Sequence, residues 1–323
     1  MTVWQARMNL AIGAILLAGA SSVLAMTAQV ALPQAPSVQA AARQQAEVDW
    51  SAVEQALGKS GQMMPGGVFR ISMPRSDLQI AVEGVPVKAN FALGSYAAFK
   101  PMDEGSGLAL VMGDLVLLDE EVPVVMSGLF DNGLQVTALH NHLNQVTPHV
   151  LYMHYEGMGD PVQLAGGLHA ALSASGTPLG SSPPSPPYTG PQLDTDMLQE
   201  ILGRSGRQMD NGVFAVSVPR AEMITEGAME LPPAMGTATA INFQPTDGGK
   251  AAITGDFVLV GEEVNAVAST LRANGIEVTA LHSHALGDQP RLFYMHFWAN
   301  DDPAKLAQGL RAALDQTASA AQA

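Results

Sequence analysis

The chain has 323 residues, 47% of them apolar and only 14% charged, with 15 Lys+Arg against 30 Asp+Glu and no Cys. That length predicts two domains rather than one core, and the apolar content excludes a disordered chain or a coiled coil. The net charge of −15 argues against nucleic acid or an anionic membrane surface as the main partner, and without Cys there are no disulfides, thiolate nucleophiles, Cys-ligated zinc or iron–sulfur clusters.

Arg7 precedes an uncharged apolar run from Leu10 to Leu24 that ends in Ser21-Ser22-Val23-Leu24-Ala25. This is the pattern of a secretory signal peptide cleaved after Ala25, because the run is short of the ~20 residues that a membrane span needs. The expectation is a periplasmic or secreted protein with no membrane anchor after cleavage. Residues 26–46 are rich in Ala, Gln and Pro and read as a flexible leader to a first domain at 47–174.

That domain opens with a helix over 50–57, with Asp49 as N-cap and Gly58 just past its end. Strand-like runs follow at Val68 to Met73, Ile80 to Val87, Ser95 to Phe99 and Leu108 to Leu118. Asp119-Glu120-Glu121 leads into a helix ending near Asn132-Gly133, where the acids complement the helix dipole. Two alternating strands, 134–142 and 149–156, form a hairpin, and Asp160-Pro161 starts a last helix through Leu172. Residues 175–191, with Pro183, Pro184, Pro186 and Pro187, read as a semi-rigid linker. A second domain at 192–317 and a tail at 318–323 complete the chain.

The second domain copies the first. Gly67-Val68-Phe69 recurs as Gly212-Val213-Phe214 and Pro74-Arg75 as Pro219-Arg220. At an offset three residues shorter, Gly113-Asp114 recurs as Gly255-Asp256 and Tyr152-Met153-His154 as Tyr294-Met295-His296. A period this long makes each unit a whole domain. The predicted class is α+β, with two tandem homologous domains, each an antiparallel or mixed sheet with helices packed on one face.

Six of the eight histidines fall at matched positions: His140, His142 and His154, then His282, His284 and His296. Residues i and i+2 of a strand share a face, so His140 and His142 project together. His154 joins them if paired residues of the hairpin have an even index sum; an odd-sum register puts it on the other face. Three neutral imidazoles on a hairpin suit Zn²⁺, Cu²⁺ or Fe²⁺. Glu156 is a candidate fourth ligand or general base in the first copy, where the second has Trp298, and Tyr152 a candidate substrate-orienting group. On that ground the first site is expected to be the better formed. A duplicated hydrogen-bond network of structural histidines is the competing reading. His149 and His169 have no histidine counterparts and are expected at the surface. Arg75 and Arg220 are candidates for holding an anionic or other small ligand, or else for salt bridges to Asp114 and Asp256. Gly113-Asp114 reads as a strand bend, and Met112, Met126 and Met153 as core packing.

The strings Pro74-Arg75-Ser76-Asp77-Leu78, Gly113-Asp114-Leu115-Val116-Leu117, Val136-Thr137-Ala138-Leu139-His140-Asn141-His142-Leu143 and Tyr152-Met153-His154 resemble the DUF1259 family, also called LppY/LpqO after mycobacterial lipoproteins. The resemblance spans 47–317 in two copies and implies an exported bacterial protein of uncharacterised biochemistry. This chain lacks the Cys that a lipid anchor requires. The expected function is binding of a transition metal through a three-His site in each repeat. A metal-dependent enzyme that activates water or a small substrate, and a metal-free envelope protein that binds a ligand or partner, remain open.

Overall fold

The computed structural model describes residues 48–103, 105–180 and 188–320. The expected signal peptide and leader, and Pro183, Pro184, Pro186 and Pro187 of the linker, lie outside the described residues. In the first repeat α1 (Trp50–Leu57) starts where Asp49 accepts from the Ala52 amide and stops at Gly58, whose φ of 80° is left-handed. His169 is not a free surface group. Its Nδ1 holds the Leu57 carbonyl at 2.8 Å, and its counterpart Arg311 holds the Leu202 carbonyl at 2.9 Å. His149 pairs with exposed Asp119.

After α1 come β1 (Gly61–Met64), β2 (Val68–Pro74), β3 (Ile80–Val82), β4 (Val85–Val87), α2 (Ala89–Ala92), β5 (Gly94–Pro101) and β6 (Ala109–Leu118). Then α3 (Val122–Asp131), β7 (Gln135–His140), β8 (Val146–Thr147), β9 (Val150–Gly159) and α4 (Pro161–Leu172) follow. The single strand expected over Ile80 to Val87 is two strands, because Glu83 and Gly84 both take positive φ and turn the chain back. The main sheet has six antiparallel-paired strands in the order β1-β2-β5-β6-β9-β7. The second repeat reproduces this order with β10 (Gly206–Gln208), β11 (Phe214–Pro219), β14 (Ala238–Pro245), β15 (Ala251–Leu259), β18 (Phe293–Asp301) and β16 (Glu277–His282), while β12 (Thr225–Glu226), β13 (Met229–Glu230) and β17 (Asp288–Gln289) form a small sheet of their own. Its helices are α5 (Thr195–Leu202), α6 (Val264–Ala273) and α7 (Pro303–Leu314). The α+β class, with helices on one face of each sheet, is as the sequence predicts.

Index parity sorts the side chains. Odd-numbered Phe69, Ile71, Met73, Phe99, Val111, Leu115 and Met153 pack with Val53, Leu57, Leu129 and Leu168 of the helices. Even-numbered residues face the other repeat. Val116 and Tyr152 share a core with Ala252 and Trp298, and Ala98, Leu110 and Met112 share one with Val258 and Tyr294. The two sheets therefore meet through the faces that carry no helices. This explains why β6 is buried along nearly its whole length: apolar side chains are needed on both of its faces. The histidine-bearing face, opposite the helices, is covered by the other repeat.

The register of β7 on β9 decides where the imidazoles go. At its start the sum is odd, with Gln135 opposite Glu156 and Val136 opposite Tyr155. A bulge at Thr137 shifts the pairing, so that Ala138 faces His154 and His140 faces Tyr152. The same shift falls between Val278 and Ala280. The bulged threonines tie the repeats together: Thr137 Oγ1 donates to the His284 carbonyl at 2.5 Å, and Thr279 Oγ1 donates reciprocally to that of His142.

Candidate metal centre between the repeats

Strand β9 presents Tyr152 and His154 to the seam, β7 presents His140, and His142 follows in the next loop. The second repeat contributes His282, His284 and His296 in the same way. The six rings form one cluster rather than one site per copy. His140 stacks on His282 with centroids 3.4 Å apart, His142 on His296 at 3.7 Å and His154 on His284 at 3.8 Å. Tyr152 covers the outer face of His142 at 3.3 Å, and Tyr294 covers His284 at 3.3 Å.

The ring nitrogens are divided in role. His140 Nδ1 lies 3.0 Å from the Asn141 carbonyl, His296 Nδ1 lies 2.8 Å from that of Gly255, and His154 bonds the backbone at Gly113. A nitrogen facing a carbonyl carries the proton, which leaves Nε2 with a lone pair. All six Nε2 atoms are buried without a hydrogen-bond partner among the described residues, and so is Asp114 Oδ1. They converge: His140, His142, His282 and His296 offer nitrogens all within 4.8 Å of one another, as do His154, His282 and His284. Asp114 with His142 and His154, and Asp256 with His284 and His296, make two further groups within the same 4.8 Å. Donors ~2.1 Å from one ion lie within about 4 Å of each other, so loading needs only a small contraction.

The two carboxylates are the residues that sequence reasoning passed over. Asp114 Oδ2 is 3.6 Å from His142 Nε2, and Asp256 Oδ2 is 3.9 Å from His284 Nε2. Burial, reinforced by Asp256, pushes the Asp114 carboxyl up to about 8, and burial pushes Asp256 up to about 7. Burial also depresses the imidazoles, His140 to about 4 and His296 to about 3. Gly113 is no bend or bulge, since its pairings run on unbroken. A Cβ there would lie 2.2 Å from the Tyr96 carbonyl, so glycine lets the neighbouring strand and the Tyr155 ring close in beside Asp114.

Other candidates take different places. Glu156 faces the seam but belongs to none of the convergent groups; after burial, Glu226 and Asp288 are what raise its carboxyl. The expectation that it makes the first site the better one gives way to equal contributions of three His and one Asp from each repeat. The Tyr152 hydroxyl donates to the Ala92 carbonyl at 2.7 Å, so its ring, not its hydroxyl, serves the cluster. Arg75 is closed to anions and does not pair with Asp114. Its five N–H groups are used by Asp77, by Glu121 and by the Val116 carbonyl. Arg220 is held by Glu222, Glu263 and the Val258 carbonyl, not by Asp256. Glu121 and Glu263 thus serve as arginine partners more than as dipole complements.

A family model described as Domain of Unknown Function (DUF1259) matches residues 51–174 and again 196–316. Among solved structures, the chain is similar to the trimeric bacterial microcompartment shell protein PduB, at 12% identity over 80% of this chain and 91% of that one, with a TM-score of 0.22. It is also similar to EtuB from Clostridium kluyveri, at 8% identity over 80% of this chain and 90% of that one, with a TM-score of 0.19. Likenesses this loose carry no argument about fold or function. A comparison with curated proteins yields no match.

Proposed function

The chain belongs to the DUF1259 family, a domain of unknown function present here in two copies, and from that premise we propose that it binds a transition metal through a single centre shared by its repeats. The observation that carries this reading is the set of six buried Nε2 atoms with no hydrogen-bond partner among the described residues. Each unsatisfied buried acceptor costs about 1–3 kcal/mol, so six together rival the whole stability of an ordinary domain. A cation satisfies them at once. Neutral imidazoles need lose no proton to bind it, and Asp114 and Asp256 exchange their protons for it. Nitrogen and carboxylate donors without thiolate suit Zn²⁺, Cu²⁺ or Fe²⁺. We also place the protein in the periplasm or outside the cell, on the strength of the apolar run and small residues that end at Ala25.

Elemental analysis of protein purified without a His tag, then equilibrated with each metal in turn and dialysed, is expected to find at least one ion per chain. Melting should rise on loading, since ligand at a hundredfold excess over Kd adds about 2.7 kcal/mol. A protein that stays metal-free, with melting unchanged by all three metals, contradicts the proposal.

A further inference from the structure

We infer that Arg70 and Tyr96 form a seat for a small oxyanion, a carboxylate or a phosphate, whose far end reaches the proposed metal; the inference rests on the metal-binding reading. Two cavities, of about 220 Å³ and about 290 Å³, open beside the cluster. Both are lined by Arg70, Tyr96, Asp114, His142, Ala240 and Asp256. One extends to Tyr152 and His296, the other to His154 and His284. Spaces below the usual size of ligand pockets admit a small acid or an inorganic anion, not a polymer.

The seat breaks the symmetry of the repeats. Arg70 lies opposite Ala98 and Tyr96 opposite Asp114; the second repeat has Ala215 opposite Asn242 and Ala240 opposite Asp256. The metal donors are duplicated, but the guanidinium and the phenol come from the first repeat alone. Among the described residues Arg70 is the one Arg or Lys that lines either cavity. Its guanidinium lies 3.6 Å from the Tyr96 ring centroid, gives an Nη1 bond of 2.7 Å to the Ala234 carbonyl, bonds the Tyr96 side chain and acts by its charge on Asp114 and Asp256. Arg75 is fully engaged by two carboxylates and a carbonyl; Arg70 forms no ion pair within 4.0 Å among the described residues. Stacking fixes the plane of the fork and leaves N–H groups for a ligand oxygen pair, which a carboxylate or phosphate matches and a neutral ligand does not.

The test is calorimetric titration of the metal-loaded full chain with malonate and, separately, inorganic phosphate, with metal content measured on the same samples. At least one is expected to bind; which one does identifies the anion class. Arg70→Gln is expected to weaken that binding tenfold or more with metal content unchanged. Ala240→Leu, which fills the space beside an intact Arg70, is expected to do the same and carries the test if the first variant fails to fold. Metal-loaded protein that binds neither anion, or binding undiminished in either folded variant, overturns this inference alone. A chain that takes up no metal overturns both readings.

Discussion

Replacing Arg75 with Leu is expected to destabilise the protein by about 3–5 kcal/mol, the usual cost of removing one partner from a buried ion pair. The Arg75 side chain is 1% exposed and that of Glu121 10%. Burial alone pushes the Glu121 carboxyl up, but the hydrogen bond from Arg75 and the amides of Gly176 and Leu118 outweigh it and hold the carboxyl below its ordinary value. Without the guanidinium, the carboxylate and the Val116 carbonyl lose their shared donor. The matched change Arg220→Leu is expected to cost less. Glu222 reaches only Nη2, where Asp77 spans both Nε and Nη2, and Arg220 Nε is already buried without a partner. Urea unfolding of both variants checks the ranking. An Arg75→Leu cost below about 1 kcal/mol, as for an exposed pair, would show that the arginine is not the clamp described.

The second large effect is acid destabilisation of metal-stripped protein. The six cluster imidazoles have folded pKa values depressed chiefly by burial, to about 4 for His140 and about 3 for His296, and below the ordinary value for the other four. An unfolded histidine titrates near 6.5. As the pH falls below that, the unfolded chain takes up protons that the native cluster refuses, so stability falls by about 1.4 kcal/mol per proton per pH unit. The carboxyls work the other way. Asp114 and Asp256 are raised to about 8 and about 7, so their contribution is complete below the unfolded value near 3.9 and is lost as pH rises through 7–8. Six imidazoles outweigh two carboxyls from about pH 4 up to about pH 7, because half of the unfolded histidines still hold a proton at about 6.5; above that the carboxyls dominate. Stability of the chelator-treated protein is therefore expected to peak at about pH 7, with the steeper loss on the acid side. Urea midpoints measured from pH 4.5 to 8.5 check this, and a flat acid limb would mean that the rings are solvated in the native state.

Much of this is legible in the sequence. The duplicated strings show two repeats, and the caps at Asp49 and Asp160 place helices where they form. Matched spacing of His140, His142 and His154 with His282, His284 and His296 marked the residues that converge. Two things stay out of reach, and a third is passed over. An inserted residue at Thr137 changes the pairing sum of the hairpin, and a bulge has no local signature beyond the pattern it disrupts. Sharing between repeats depends on contacts between residues more than a hundred positions apart, which periodicity does not encode. A signal was present all the same: Leu108 to Leu118 is apolar on both faces, so a second layer had to cover the face without helices. The third, Asp114, was legible as a lone carboxylate inside that run, repeated as Asp256; a charge in a fully covered strand calls for a partner.

The most direct test of the shared centre is metal content in two single variants, His140→Ala and His282→Ala, one in each repeat. His140 and His282 both belong to the four-nitrogen group drawn from the two repeats, so each variant alone is expected to lose the ion held there. Retention of half the wild-type content by each would mean one independent site per repeat and would contradict the account.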